Sequence, residues 1–501
     1  MNFVGIDLGT SSVKLVIMND EGKVVEALSK DYDVSYPKPG FAEQNPEDWW
    51  EAVRDGLKEL LAKSKLSSEA VKGIGFSGQM HGLVMLDEHY SVLRPAILWC
   101  DQRTEEECVY LNEVIGQDKL SKYTGNKALT GFTAPKILWV KKHEPEIFAK
   151  AKYIMLPKDY IRLKLTGEFA TDVSDASGML LLDVEGRKWS KEMLEITGIT
   201  EAMLPRVVES WEPTGTLTEE VAEYTGLATA TIVVGGAGDQ AAGAVGTGTV
   251  SEGILSAALG TSGVIFASSE KYEVDDDNRL HSFCHANGKY HQMGVMLSAA
   301  SCLKWWVEQI NKGLCGEDSA KTFDFLLEEA AKSKVGANGV VYLPYLMGER
   351  TPHSDPHAKG TFVGMTMTTE RGDMTRAILE GVCFGLRDSL EILRSLKVPI
   401  EEVRVSGGGS KSVLWRQILA DVLNTKVALI NSKEGPAYGA AILAAVGCGL
   451  FKTVDEACEK LIKVTNEVSP IPENVEKYNK VYEVFTKLYP SLKDSFKLLS
   501  F

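Results

Sequence analysis

The stretch Asp7-Leu8-Gly9-Thr10-Ser11-Ser12-Val13 near the start of the chain returns near its middle as Ala258-Leu259-Gly260-Thr261-Ser262-Gly263-Val264. Both copies lie between apolar, β-branched runs, so each reads as a strand, a Gly-Thr-Ser turn and a returning strand. A repeat placed at mid-chain divides the sequence into two related domains, 1–245 and 246–501. Length agrees, because 501 residues exceed the roughly 100 to 200 that one domain holds.

Each turn has the chemistry of a phosphate cradle. Gly9 lets the backbone turn tightly and present N–H groups to an anion, Thr10 and Ser11 add hydroxyl donors, and Lys14 can bring one positive charge to a terminal phosphate. Asp7, at the strand end, is placed to bind the Mg2+ that accompanies a nucleotide. Ala258 stands at the matching position of the second copy, so only the first hairpin is expected to hold metal. One such turn alone needs no function beyond chain reversal. Two facing one cleft are what a nucleotide between domains requires.

Composition narrows the class of ligand. The formal charge of −15, with no block of Lys or Arg, excludes a nucleic-acid or anionic-membrane surface. A phosphate ligand must then be held by backbone N–H groups, a few placed cations and a metal. The hydrophobic fraction of 44% and charged fraction of 25% are those of a globular protein. The 8 cysteines form no CxxC pair and read as buried, reduced thiols. The opening MNFVGIDLGT lacks the pattern of a secretory signal, and the apolar region 228–266 is broken by Asp239, Glu252 and many glycines. A cytoplasmic enzyme without a membrane span is expected.

Three further motifs carry chemistry. In Val233-Val234-Gly235-Gly236-Ala237-Gly238-Asp239-Gln240 an apolar strand ends in a Gly-rich loop, and Asp239 opens a helix of small residues with its carboxylate directed into the cleft. Asp is a preferred helix cap, so a lowered pKa and weak basicity are expected, which phosphoryl transfer tolerates because the hydroxyl proton leaves late. In Val405-Ser406-Gly407-Gly408-Gly409-Ser410, between a strand and the helix 413–423, bare backbone offers a floor for an adenine ring. This is neither GxGxxG nor the Walker sequence, so it supports no Rossmann or P-loop reading. In Ser77-Gly78-Gln79-Met80-His81-Gly82 and Trp99-Cys100-Asp101-Gln102-Arg103, polar groups on strand-end loops beside Gly and Trp suit the reading of sugar hydroxyls. Elsewhere, Asn45-Pro46-Glu47-Asp48 predicts a helix start, with Trp49, Val53, Leu57, Leu60 and Leu61 as its apolar stripe.

Taken in order, GIDLGTSSVK, GFSGQMHG, WCDQR, GFTAPKILWVKKH, LPKDYIRLKLTGEFATDVSDASG, GGAGDQAAGAVGTG, ALGTSGVIF, PYLMGERTPHSDP, VSGGGSKSVLWRQILADVL and EGPAYGAAILA resemble the FGGY carbohydrate kinases over nearly the whole chain. The resemblance implies an α/β fold of two actin-like (ribonuclease-H-like) ATPase domains, with ATP and sugar meeting in an interdomain catalytic cleft. It implies Asp239 as proton acceptor and Asp7 as support for Mg2+ and the phosphates. Met80 and His81 would touch the sugar, with Asp101 and Gln240 on the same side, and Gly260, Thr261, Gly408, Gly409 and Ser412 would lie along ATP. The QMHG loop is similar to that of members acting on D-xylulose, whereas the glycerol-phosphorylating members carry an Arg-Glu pair there. The expected reaction is therefore ATP-dependent phosphorylation of D-xylulose at its terminal C5 hydroxyl, with another ketose or polyol such as ribulose as the alternative. Gln240 and Cys100 stand where Asn is commoner, and both bear on the choice of ketose. The expected partners are sugar and ATP, with a homodimer left open. After Ala445 no segment suits a peptide-binding domain, since 454–501 reads as amphipathic helices, which argues against an actin-like chaperone.

Overall fold

The two Gly-Thr-Ser turns each join antiparallel strands inside a seven-stranded sheet. These sheets are seen in a computed structural model that describes residues 1–316, 318–432 and 434–499. In the first sheet, β1 (Asn2–Leu8), β2 (Ser12–Asn19) and β3 (Val24–Asp31) form a meander. Next to β1 and parallel to it runs β4 (Val71–Gly78). Beyond it lie β5 (Pro213–Thr216) and β6 (Ile232–Val234), in the order β5-β6-β4-β1-β2-β3, and the short β7 (Ala237–Gly238) extends the pairing with β4. Helix α1 (Pro46–Ser64) covers one face. It starts as predicted: the Asn45 side chain caps it by accepting from Glu47 N–H, and Trp49, Val53, Leu57 and Leu60 are buried. Two more helices matter for function, α2 (Val173–Ser177) and α3 (Asp239–Thr247).

The second sheet repeats this plan. Strands β8 (Gly253–Leu259), β9 (Gly263–Ser269), β10 (His281–Cys284), β11 (Tyr290–Met296), β12 (Ile400–Ser406), β13 (Lys426–Ile430) and β14 (Val464–Val468) lie in the order β10-β11-β9-β8-β12-β13-β14. Parallel pairing of β8 with β12 and of β12 with β13 matches that of β1 with β4. Helices α4 (Arg371–Ser395) and α5 (Val413–Leu423) contribute to the apolar core beside this sheet. Helix α6 (Gly435–Gly447) follows, then α7 (Val454–Leu461) and α8 (Pro472–Leu498).

Three features differ from the sequence expectations. The tail 454–499 is not helical throughout: β14 pairs antiparallel with β13 and closes the sheet edge between α7 and α8. All 8 cysteines are free, but Cys100, Cys315 and Cys448 are only half-buried. Finally, α6 comes from the second half of the chain but packs on β1 and β4 of the first sheet and along α3. Only glycine permits this approach, since a Cβ on Gly5 or Gly75 would overlap the carbonyl of Ala437 or Ala440, and one on Gly439 would overlap that of Ala242. The halves are thus joined by backbone packed directly on backbone, which the linear division at 245/246 does not convey.

Candidate active site

Parallel strands bring their carboxyl ends to one edge of a sheet, and ligands of open α/β sheets gather there. In the first sheet Asp7 of β1 and Ala237 of β7 both stand opposite Ser77 of β4. The chain then leaves this edge as Gly9-Thr10-Ser11, as Gln79-Met80-His81 and as Asp239-Gln240. In the second sheet the ends of β8 and β12 deliver Gly260-Thr261 and Gly407-Gly408 in the same way.

The hairpins present free donors. Carbonyls of the first turn are drawn outward, with Tyr32 Oη donating to Gly9 O at 2.6 Å and Gln44 Nε2 to Thr10 O at 2.7 Å. Trp99 Nε1 donates to Thr10 Oγ1 at 2.9 Å. Among the described residues the N–H groups of Thr10, Ser11, Thr261 and Ser262 have no protein acceptor, the condition for binding phosphate. The second turn is held from behind, where Ala299 and Ala300 N–H donate to the carbonyls of Thr261 and Gly260 at 2.9 and 2.8 Å. Lys14 is not free as the sequence suggested, because its ammonium is ion-paired with Glu434, which precedes α6.

The two carboxylates at the edge interact. Asp7 accepts from the Ser77 hydroxyl at 2.7 Å. Burial raises its pKa, offset by that hydrogen bond and by the Lys14 charge. Asp239 was expected to cap its helix and to be acidified by doing so. Instead Gly238 is the N-cap and Asp239 is the first helical residue. Burial, followed by the negative charge of Asp7, pushes its carboxyl up to about 7, against the N–H and side chain of Gln240. A group poised near neutrality is suited to accept a hydroxyl proton. Among the described residues no three metal-ligating side chains converge. The oxygen donors of Asp7, with Asp239 nearby, fit a Mg2+ that takes its remaining ligands from phosphates and water.

On the sugar side, His81 has φ +69°, a left-handed backbone that costs roughly 1–3 kcal/mol outside glycine. Thr133 Oγ1 and the buried Lys136 Nζ hold it there by donating to its carbonyl at 3.0 and 2.9 Å. Its ring lies 4.7 Å from that of Phe132, and its Nδ1 donates to Gly178 O at 2.7 Å. Burial keeps the imidazole neutral, with its pKa pushed down to about 3, partly offset by the Gly178 carbonyl and lowered further by Lys136 and Arg350. The bonded Nδ1–H leaves Nε2 as a hydrogen-bond acceptor. Met80 is buried beneath the Asp239 loop, where a Cβ on Gly238 would meet its sulfur.

Asp101 is placed differently from the expectation of sugar contact. Its side chain is fully buried, and its oxygens accept from Ala42 N, Arg103 N and the Arg103 guanidinium at 2.6 to 2.9 Å. It fixes the loop that carries Trp99 and Cys100. Gln240 approaches Asp239 Oδ2 with its Nε2 at 3.4 Å. Along the second sheet, a Cβ on Gly408 would meet nothing within 4 Å, so its face is open to a flat ligand. Gly409 is different, since it packs on Leu259 and Trp415. Ser412 caps α5 by accepting from Trp415 N–H at 3.2 Å.

Residue-by-residue reading overlooked Lys136, Ser174, Gly178 and Arg350. Each lies inside a motif quoted above, but their roles depend on contacts between motifs. The Gly238 N–H, just before Asp239, donates to Ser174 Oγ at 3.1 Å, and that hydroxyl donates to Asp172 Oδ2 at 2.5 Å. Asp172 is in turn paired with the buried Lys158 at 2.8 Å. Helix α2 therefore touches the Asp239 loop at one end and, through Gly178, His81 at the other.

The fold is shared with known proteins. Residues 2–246 match the N-terminal domain and residues 255–448 the C-terminal domain of the FGGY family of carbohydrate kinases. The chain is 41% identical to a xylulose kinase of Bacillus subtilis, covering 98% of this chain and 97% of that protein. It is 42% identical to a xylulose kinase of Escherichia coli, covering 98% and 99%. A crystal structure described as a xyloylose kinase from Brucella ovis superposes with a TM-score of 0.91 at 39% identity, over 99% of this chain and 100% of that one.

Proposed function

Because the chain belongs to the FGGY family of carbohydrate kinases, we propose that it transfers the γ-phosphoryl group of ATP to the C5 hydroxyl of D-xylulose, giving D-xylulose 5-phosphate and ADP. One observation carries the assignment of roles: Asp239, His81 and the Gly9-Thr10-Ser11 turn leave the same edge of one sheet. Asp239 orients the hydroxyl and takes its proton. Neutral His81 accepts a hydrogen bond from the sugar at Nε2, over an apolar floor that includes Met80. Free N–H groups of the hairpins at Thr10 and Thr261 receive the phosphates, and Gly408 lies under the adenine. Gln240 and Cys100 border the sugar and tune its choice.

Asp7 would hold Mg2+, which neutralises phosphate charge when bound. Transfer in this family of reactions rests on positioning and charge, so aligning hydroxyl and phosphate does most of the chemistry. Among the described residues no helix is long and apolar enough to cross a membrane. Free thiols throughout are in keeping with the reducing cytoplasm we assign to the enzyme. Light scattering giving twice the chain mass would support a homodimer.

The test is ADP release with Mg2+ and ATP against D-xylulose, D-ribulose, L-ribulose, L-fuculose and glycerol. Fastest turnover with D-xylulose is expected, falling by on the order of a thousandfold or more in Asp239→Asn. Preference for another sugar would move the specificity assignment to Gln240 and Cys100, and an active Asp239→Asn would remove Asp239 as base.

A further inference from the structure

The cations around the cleft are nearly all committed. Lys14 is paired with Glu434, Lys136 donates to the carbonyls of His81 and Gly131, and Arg103 is held by Asp101 and Glu43. Lys158 is enclosed by Asp159, Asp172 and Asp175. Arg350 is not so committed, and unlike the exposed Lys411 of the Gly-rich loop it is partly withdrawn from solvent. Among the described residues its guanidinium has no hydrogen bond and no ion pair, although the side chain is only partly exposed. The neighbouring Glu349 is near enough for its charge to act on the guanidinium but makes no ion pair with it among the described residues: its Oε1 accepts instead from the N–H groups of Leu297 and Arg350, at 3.0 and 2.7 Å. A guanidinium partly withdrawn from water with no ion pair is costly.

The loop that carries it is tied to the support of the second hairpin and to the first half of the chain. Glu349 is anchored on Leu297, which begins the segment whose Ala299 and Ala300 N–H groups brace the second hairpin at Thr261 and Gly260. Thr351 is fixed on β11, with its N–H donating to Val295 O at 2.9 Å and its Oγ1 accepting from Val295 N–H at 3.1 Å. Ser354 turns back to donate to Arg350 O at 2.6 Å and accepts from Lys127 of the first half at 3.0 Å. The loop is thus pinned on the phosphate side and reaches across to the other half of the chain. Arg350 also lies close enough to His81 and His281 for its charge to oppose their protonation. A guanidinium with no ion pair among the described residues, on a loop pinned between the second hairpin's support and the first half of the chain, suits a phosphate dianion as ligand.

Resting on the kinase reading above, we propose that Arg350 binds the phosphoryl group as it passes from ATP to the sugar hydroxyl and as it departs on the sugar phosphate. In that step the bond from the β,γ-bridging oxygen to Pγ breaks and its electron pair leaves with ADP. The sugar O5–Pγ bond forms, and the hydroxyl proton goes to Asp239. Arg350 faces the equatorial oxygens, where charge is spread at the transition state and where a planar fork of donors matches two of them.

The full chain carrying Arg350→Gln or Arg350→Lys tests this by two readouts. With D-xylulose, Arg350→Gln is expected to lower kcat by on the order of a hundredfold or more while the sugar KM moves by less than about threefold, with Arg350→Lys intermediate. Independently of any sugar, aluminium fluoride added to Mg2+ and ADP mimics the phosphoryl group in flight. Its extra thermal stabilisation over Mg2+ and ADP alone is expected in the unaltered chain and lost in Arg350→Gln, which keeps the shift from Mg2+ and ADP. If the increment survives and kcat falls less than threefold, Arg350 does not bind the phosphoryl group, whatever the sugar. If D-xylulose supports no turnover but the increment vanishes with Arg350, the substrate reading fails and the assignment of Arg350 stands. Should Arg350→Gln not fold, the same two readouts on Arg350→Lys decide, full activity with a full increment overturning the proposal.

Discussion

Burial, and after it the charge of Asp7, raises the carboxyl of Asp239, the proposed base, to about 7, and the sign of that shift fixes a pH dependence. Only the deprotonated carboxylate accepts the hydroxyl proton, so kcat/KM for the sugar should fall about tenfold per unit as pH drops below about 7. Removing the charge of Asp7 lowers the Asp239 pKa, so residual activity of Asp7→Asn should persist to lower pH than that of the unaltered chain. A pH profile that is flat from 5 to 8, or one that moves upward in Asp7→Asn, would contradict the coupling. The sequence marked both acids as candidates, because Asp7 ends a strand before a Gly-Thr-Ser turn and Asp239 opens a helix after a Gly-rich loop. It gave the opposite direction for the Asp239 pKa, since a cap was inferred from residue preference and the helix begins one residue earlier. His81 was named without its tautomer, because the Gly178 carbonyl that sets it lies almost a hundred residues away.

At the scale of elements, α2 is the short piece that touches both the loop of the proposed base and the proposed sugar reader. Ser174 and Ser210 both donate to Asp172 Oδ2, at 2.5 and 3.0 Å, yet only Ser174 receives the Gly238 N–H. Losing either hydroxyl removes one hydrogen bond from the same carboxylate, so a purely structural role predicts similar effects for both. We expect Ser174→Ala to lower kcat by about tenfold or more through misplacement of Asp239, with Ser210→Ala within about twofold. Steady-state rates checked against melting temperatures separate the two cases, and equal losses would deny α2 this role. The local sequence gives α2 little helical signal, because it is five residues long and stands on its Asp172 cap and its burial. Longer elements with clear signals, such as α1 with its Asn45 cap and Trp49 stripe, were legible in advance.

For the whole molecule, the decisive contact is α6 on the first sheet. Gly75→Ala would drive a methyl into the Ala440 carbonyl, where neither backbone can yield. A loss at or above the roughly 1–3 kcal/mol usual for overpacking is expected in denaturant unfolding. Gly408→Ala meets open space and should leave stability unchanged while weakening nucleotide binding. A Gly75→Ala chain as stable as the original would show that the interface is looser than its backbone contacts indicate. The sequence by itself determined the repeat, the two phosphate-type hairpins and the strand-end position of the Gly78, Gly235 and Gly407 loops, because turns and strand ends are written in local residue chemistry. The fold alone decided that burial and Asp7 raise the Asp239 carboxyl, that Lys14 is tied to Glu434, that Asp101 is sealed behind Arg103 and that Arg350 has no ion pair among the described residues. Those properties depend on burial and on charges brought together from distant parts of the chain, and neither exists until the two halves have packed.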